Sequence, residues 1–383
     1  MGKHGLKEII YQTEMINIVC GNCSHPYPEE GVPYCCEKCG GVYRFTGEFN
    51  FNNSLIDLSK PGMWRYQHTF QLPKNAPITH LGEGDTPLVW SKFFNQKVAL
   101  KLEFLNPTGS FKDRGTALLM SFLKSRGITS AVEDSSGNAG ASFAAYSANS
   151  GIKAKLFIPS YTSGPKRNQI ESYGATIISV DGPRSKATQM VLKDAERGEV
   201  YASHAYLPFG IPGFASIAYE LLEQMDESPG TIISPVGQGM LLLGLIKGFE
   251  TLYKAERIRR IPTLVGVQSL ACAPLWAIDQ YGSAGLNLVT ERETLAEGVR
   301  IKHPLRGDEI LRKMKQLNGF FVVVEEEAII QGYKELSRNG FYIEPTSAIV
   351  WNALEQVLKE VPTPIVVILT GIGLKSEKIL PLQ

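Results

Sequence analysis

The chain has 383 residues, 43% of them hydrophobic and 20% charged, and its Lys+Arg 39 against Asp+Glu 38 leave a net charge of +1. Two or three domains with sizeable cores are expected at that length. The charge balance excludes a basic nucleic-acid surface and an acidic tail for a basic partner, and no apolar run has the length of a bilayer-spanning helix.

In chain order, "MGKHGLKEII" lacks the apolar core of a secretory signal, so a cytoplasmic protein is expected. Five of the six cysteines then fall between Cys20 and Cys39. Cys20-x2-Cys23 and Cys36-x2-Cys39 form two CxxC knuckles in glycine-rich turns, a spacing that predicts a tetrahedral thiolate cage for structural Zn²⁺. Cys35 is left over. From about Ser59 to Leu88 the text is proline-dotted and loop-like.

Beyond Lys97, β-branched runs alternate with helical spacing. "AKLFIP" (Ala154 to Pro159), "ATIISV" (Ala175 to Val180), "TIISPV" (Thr231 to Val236), "TLVGVQ" (Thr263 to Gln268) and "IVVILT" (Ile365 to Thr370) predict strands. Arg114 to Gly127, Asn138 to Gly151 and Met240 to Glu256 predict helices between them. Near-continuous apolar strands separated by helices indicate parallel sheets covered on both faces, an α/β fold. Ligands of such sheets bind at the carboxyl ends of strands, where glycine-rich turns lead into helices.

Four stretches stand at such places. In "LNPTGSFKDRG", Lys112 opens a helix, where a cation is disfavoured; it is either a surface lysine paired with Asp113 or a neutral amine nucleophile. "SSGNAG" (Ser135 to Gly140) offers helix-start N–H groups to an anion, or is an ordinary N-cap. "SPVGQGMLLLGL" (Ser234 to Leu245) has the strand, glycine turn and helix order of a phosphate cradle without being a P-loop. "VVILTGIGLK" ends a buried strand on Thr370, whose hydroxyl can bond a ligand that stays neutral there.

Taken in order, "NPTGSFKDRG", "SSGNAGAS", "PVGQG", "EPTSA" (Glu344 to Ala348) and "LTGIGLK" resemble the fold type II pyridoxal-phosphate enzymes of the tryptophan synthase β-subunit type. Threonine synthase and its near relatives match most closely, including the cysteine ribbon before "LGEGDTPL". The resemblance implies a zinc-ribbon segment at 1–48, a large cofactor domain at 49–125 and 208–383, and a small mobile substrate domain at 126–207. It implies a Schiff base between Lys112 and pyridoxal 5'-phosphate, with the freed amine then removing the substrate α-proton. The loop Val236, Gly237, Gln238, Gly239 and Met240 is expected to hold the phosphate, Asn138 the ring's phenolic oxygen and Thr370 the pyridine nitrogen. Ser136, Gly137, Asn138 and Ala139 are expected to receive the substrate carboxylate.

The implied reaction is elimination of phosphate from O-phosphohomoserine with addition of water to give threonine. A same-class alternative is β-replacement or elimination on another amino acid, such as a cysteate synthase using O-phosphoserine and sulfite. A homodimer is implied, with neither nucleic acid nor membrane as partner.

This chain departs from the threonine synthase pattern in three places. Gln238 and Met240 are expected to narrow the phosphate loop, and Ile372 replaces a histidine. Gly210, in "LPFGIPGFAS", stands where an arginine is expected for the substrate phosphate; Lys166, Arg167 or Arg184 are the candidates to compensate.

Overall fold

The computed structural model describes residues 18–162 and 164–376. The first 17 residues, which begin the segment assigned to the zinc ribbon, lie outside the described residues. Strands are β1 (Ile18–Cys20), β2 (Tyr43–Phe45), β3 (Leu88–Phe93), β4 (Gln96–Lys101), β5 (Ser130–Glu133), β6 (Lys153–Pro159), β7 (Thr176–Val180), β8 (Thr231–Pro235), β9 (Thr263–Ser269), β10 (Phe320–Val324) and β11 (Ile365–Ile368). Helices are α1 (Lys112–Ser125), α2 (Asn138–Ser150), α3 (Gly164–Ser172), α4 (Arg184–Glu196), α5 (Ile211–Gln224), α6 (Met240–Lys254), α7 (Pro274–Tyr281), α8 (Gly307–Gln316), α9 (Glu326–Arg338) and α10 (Pro345–Val357).

Two sheets organise the chain. The larger runs β10-β9-β8-β11-β4-β3 and the smaller β5-β6-β7. Every pair in them is parallel except β3 with β4, so the larger sheet is not wholly parallel as expected but carries an antiparallel edge strand. β8 and β11 are buried along their whole length, as strands covered on both faces must be. The two faces of the larger sheet contribute to separate apolar clusters: Ile232 and Val366 belong to one, Ile233, Val265 and Val367 to the other.

The β3–β4 turn places Phe94 and Asn95 at φ of +49° and +62°. A two-residue turn with both central residues left-handed matches strand twist, and Asn-Gly is the usual sequence for it. Here Phe94 takes that conformation while its ring lies 4.8 Å from Trp351, so packing overrides the local preference.

The β1–β2 ribbon docks on the body through Tyr27, whose ring meets Tyr43 at 4.6 Å and Phe209 at 5.3 Å. Arg306 adds a strut: it donates to the Tyr43 carbonyl at 2.5 Å and to the Tyr206 carbonyl at 2.6 Å. Among the described residues no helix is long and apolar enough to cross a membrane.

Beneath α1 lies a buried charge network. Arg114 reaches both carboxylate oxygens of Glu103 and both of Glu220, each at 2.7 Å. Lys101 completes it, donating to Glu220 at 2.7 Å. The network ties α1 to β4 and α5, and so fixes the helix that begins with Lys112.

Candidate active site

The turn before α1 is closed by Asp113, which accepts from the Thr108 N–H and hydroxyl, both at 2.6 Å. Gly109 sits at φ +84°, a conformation that disfavours side chains, and an added Cβ would lie 2.6 Å from Ile372. The same turn is laced to the exit of β11: Ile372 donates to the Gly109 carbonyl at 3.0 Å and Phe111 to the Thr370 carbonyl at 3.0 Å. These bonds bring Lys112 and Thr370 to one end of the larger sheet.

Both residues line a cavity of about 440 Å³ at the carboxyl ends of the strands. Ser136, Gly137, Asn138, Ala139, Gly237, Gln238, Gly239 and Met240 line it as well. The N-termini of α2 and α6 therefore face the same space, and neither has a side-chain cap. Their first N–H groups are left for an anionic guest. Gly239, at φ +81°, turns the chain into α6 where a Cβ would strike Ile310 at 2.1 Å.

One expected residue is displaced and others are already engaged. Val236 is not on the cavity wall; its N–H donates to the Val267 carbonyl at 2.8 Å and its side chain is 1% exposed. Gln238 and Met240 both line the cavity; the Gln238 amide oxygen accepts from the Leu305 N–H at 3.1 Å, and Met240 is 2% exposed. The Asn138 amide is already engaged, with Nδ2 donating to Glu344 at 2.8 and 2.9 Å and Oδ1 accepting from Lys375 at 3.2 Å.

Lys112 is half-buried, and its Nζ lies 4.8 Å from the centre of the Phe111 ring. Among the described residues no carboxylate pairs with it, so the Asp113 ion pair is not formed. Desolvation lowers its pKa to about 8, with Glu133 and Glu344 opposing the shift and Arg184 adding to it. Reductive methylation of Lys112 in cofactor-free protein is therefore expected to rise with pH around a midpoint near 8. Peptide mapping that places the midpoint at the ordinary 10.5 would contradict this environment.

Cations gather on the cavity's other walls: Lys166 and Arg184 from the smaller-sheet side, Arg300 and Lys302 from the segment before α8. Arg167 is not among them; its Nε pairs with Glu171 at 2.9 Å. Gly210 packs against α1, where a Cβ would lie 3.1 Å from the Gly115 Cα, a tight contact that a side chain could make only if the helix gave way slightly. Thr370 shares a 2.8 Å hydrogen bond with the Ser347 hydroxyl.

Sequence reading missed Glu133, His204, Glu344 and Lys375. Glu344 lies in the quoted "EPTSA", yet nothing in that motif shows that it would hold Asn138. His204 had no motif around it.

Apart from the cavity, the Cys20, Cys23, Cys36 and Cys39 sulfurs all lie within 4.8 Å of one another, and none is in a disulfide. Cys35 is outside the group.

Against known families, residues 79–371 match the model described as pyridoxal-phosphate dependent enzyme. Threonine synthase of Methanocaldococcus jannaschii is 29% identical over 376 residues, covering 93% of this chain and 92% of that one. Threonine synthase of a Bacillus species (strain ULM1) is 31% identical over 329 residues, covering 82% and 90%. Maize serine racemase superposes with a TM-score of 0.64 at 23% identity, covering 76% of this chain and 89% of that one, a likeness of fold.

Proposed function

Since the chain belongs to the pyridoxal-phosphate dependent enzyme family, we propose that this threonine-synthase-like lyase acts on O-phosphohomoserine, releasing phosphate and adding water to give threonine. The observation that carries the substrate is the cationic wall of Lys166, Arg184, Arg300 and Lys302 facing the same cavity as Lys112. A side-chain phosphate dianion needs fixed cationic donors, and these supply them without the arginine that Gly210 displaces.

The residues present fit the cofactor. The uncapped start of α6 with the Gly237–Met240 loop offers N–H groups to its phosphate, Lys112 offers a neutral amine to its aldehyde, and Thr370 offers a hydroxyl to its ring nitrogen. When bound, pyridoxal phosphate supplies an electron-withdrawing ring that takes up negative charge developing at the substrate α-carbon. A hydroxyl at the nitrogen, unlike a carboxylate, does not enforce a protonated ring.

The chain's own groups do the rest. The free N–H groups at the start of α2, with Ser136 and Asn138, receive the α-carboxylate. Glu344 and Lys375 hold the Asn138 amide between a carboxylate and an ammonium, which fixes its plane. The Lys112 amine, neutral in part near pH 8, takes the α-proton.

Gly210, where the resemblance implies an arginine for the substrate phosphate, also favours a second reading, β-replacement on O-phosphoserine. Phosphate release and product identity with O-phosphohomoserine, and with O-phosphoserine plus sulfite, separate the two. Threonine from the first substrate supports our reading; turnover of the second alone establishes the alternative.

The four cysteine sulfurs fit Zn²⁺, since Cys20–Cys39 and Cys23–Cys39 at 3.4 Å and Cys23–Cys36 at 3.7 Å are close to the edges of a tetrahedral thiolate site. All four ligand positions are filled by protein, so the metal's role is structural. Cys36→Ser is expected to abolish stoichiometric zinc and to lower the melting temperature, read by metal analysis and thermal denaturation. An unchanged melt after complete chelation of wild-type protein would contradict the assignment.

A further inference from the structure

Glu133 ends β5 behind the cavity wall, 1% exposed, and Asp134 follows it. The two carboxyls differ. Asp134 is satisfied, accepting from Tyr201 at 2.8 Å and Thr188 at 2.6 Å. Glu133 has Oε1 at 2.8 Å from His204 Nδ1, while Oε2 has no hydrogen-bond partner among the described residues. A buried ionised oxygen without a donor is costly, so the carboxyl is best satisfied holding a proton.

His204 is on the cavity wall and Glu133 is not. With Nδ1 turned to Glu133 and the side chain 22% exposed, Nε2 is the ring nitrogen left for the cavity, whose wall also carries Lys112 and Arg184. Among the described residues Nε2 has no hydrogen-bond partner.

We propose that His204, oriented by Glu133, is a second acid–base group of this site, serving the substrate's departing group and then the incoming water. The assignment rests on the lyase reading above. In the resting pair the Glu133 O–H donates to Nδ1 and Nε2 carries a hydrogen. Expulsion from the γ-carbon needs a β-proton as well, which Lys112 takes after the α-proton. The Cβ–H electron pair becomes the Cβ–Cγ double bond as the carbon–oxygen bond to the phosphate breaks; that bond's own pair stays on oxygen, which takes the Nε2 proton. The Glu133 proton passes to Nδ1, leaving a carboxylate near Lys112 and Arg184. When water adds at the β-carbon, an oxygen pair forms the new carbon–oxygen bond and a water proton goes to Nε2. The Nδ1 proton then returns to Glu133, so the pair ends as it began. Lys112 handles the carbon-bound protons, taken from the α- and β-carbons and returned to the α- and γ-carbons, and is spared those on oxygen.

Electrostatics agree with this resting state. Burial, and then Asp134, raise the Glu133 pKa well above the usual carboxylate range, opposed by Arg184 and Lys112. Burial, then Lys112 and Arg184, lower that of His204 well below the usual range. The shared proton rests on the carboxyl side, and the ring stays neutral.

Two measurements on the holoenzyme test the proposal. Nitrogen-15 NMR of the histidine rings, with the His204 signal assigned by loss in His204→Asn, should show a neutral Nε2–H tautomer that persists well below the ordinary histidine pKa of about 6.5. An imidazolium forming near 6.5 would overturn it. Partial reactions supply the second test. Exchange of the α-proton of L-2-aminobutyrate with D₂O needs Lys112 but no leaving group, and should continue in His204→Asn and Glu133→Gln. Phosphate release from O-phosphohomoserine should fall about 10²–10⁴-fold in His204→Asn and by a smaller factor in Glu133→Gln. Undiminished release would overturn the proposal, as would loss of exchange along with release, which marks a merely structural residue. Absence of exchange in the wild type would instead sink the lyase reading.

Discussion

Lys112→Ala is expected to abolish the visible absorption of the cofactor-loaded protein and to lower phosphate release by at least about 10³-fold. Two functions sit on one nitrogen. On the proposed reading, the amine anchors the aldehyde of the cofactor and is the base that takes the α-proton. Neither role has an evident substitute. Lys166 pairs with Glu344 at 3.6 Å and Lys375 is turned to Asn138, so neither is free to replace it. The fold should survive, because Lys112 makes no ion pair among the described residues whose loss would strand a buried charge. Thermal denaturation of the apo-variant should match that of wild-type apo-protein. A visible band that persists at the same wavelength in the variant would refute the assignment of Lys112.

The largest stability effect is expected at Arg114. Arg114→Met should destabilise the protein by about 3–5 kcal/mol, because it leaves two buried carboxylates, Glu103 and Glu220, without their principal cation. Lys101 at 2.7 Å offsets part of the charge of Glu220 but does not reach Glu103. The pH dependence has a definite sign. Burial would raise the Glu220 pKa, but Arg114 and then Lys101 hold it far below the usual carboxylate range. Its contribution is therefore present above the unfolded value of about 4.3 and is lost as pH falls below it. In Arg114→Met that acid-side loss should be shallower, since less of the downward shift remains. Urea denaturation of both proteins between pH 3 and 7 measures both quantities. A variant as stable as wild type, with the same acid limb, would show that the network contributes little.

Much of this architecture is legible in the sequence because the strands are apolar on both faces. "TIISPV", "TLVGVQ" and "IVVILT" correspond to β8, β9 and β11. The helices starting at Asn138 and Met240 begin at the residues expected, where a glycine turn ends and small or apolar residues take over. The β3–β4 hairpin was hidden because Phe-Asn carries no turn signal and its left-handed residues are held by contact with Trp351.

In the site, the glycine turns and Lys112 announce themselves through local chemistry. Val236 does not separate from its neighbours in sequence, because only pairing with β9 shows that its N–H is taken. His204 and Glu133 are 71 positions apart, and nothing near either one signals the other. The smaller sheet joins them: Val132 of β5 bridges to Tyr201, which carries the following segment to the end of β5. Gly210 read as a missing cation in sequence; in the fold it is a tight contact with α1, 3.1 Å from the Gly115 Cα to an added Cβ.

The most direct test of the account is turnover of O-phosphohomoserine in H₂¹⁸O by the pyridoxal-phosphate-loaded protein, with mass spectrometry of both products. We expect ¹⁸O in the threonine hydroxyl and none in the released phosphate, because water adds at the β-carbon while the carbon–oxygen bond of the phosphate ester breaks. Label in the phosphate with homoserine as co-product would mean hydrolysis at phosphorus, and would contradict the account.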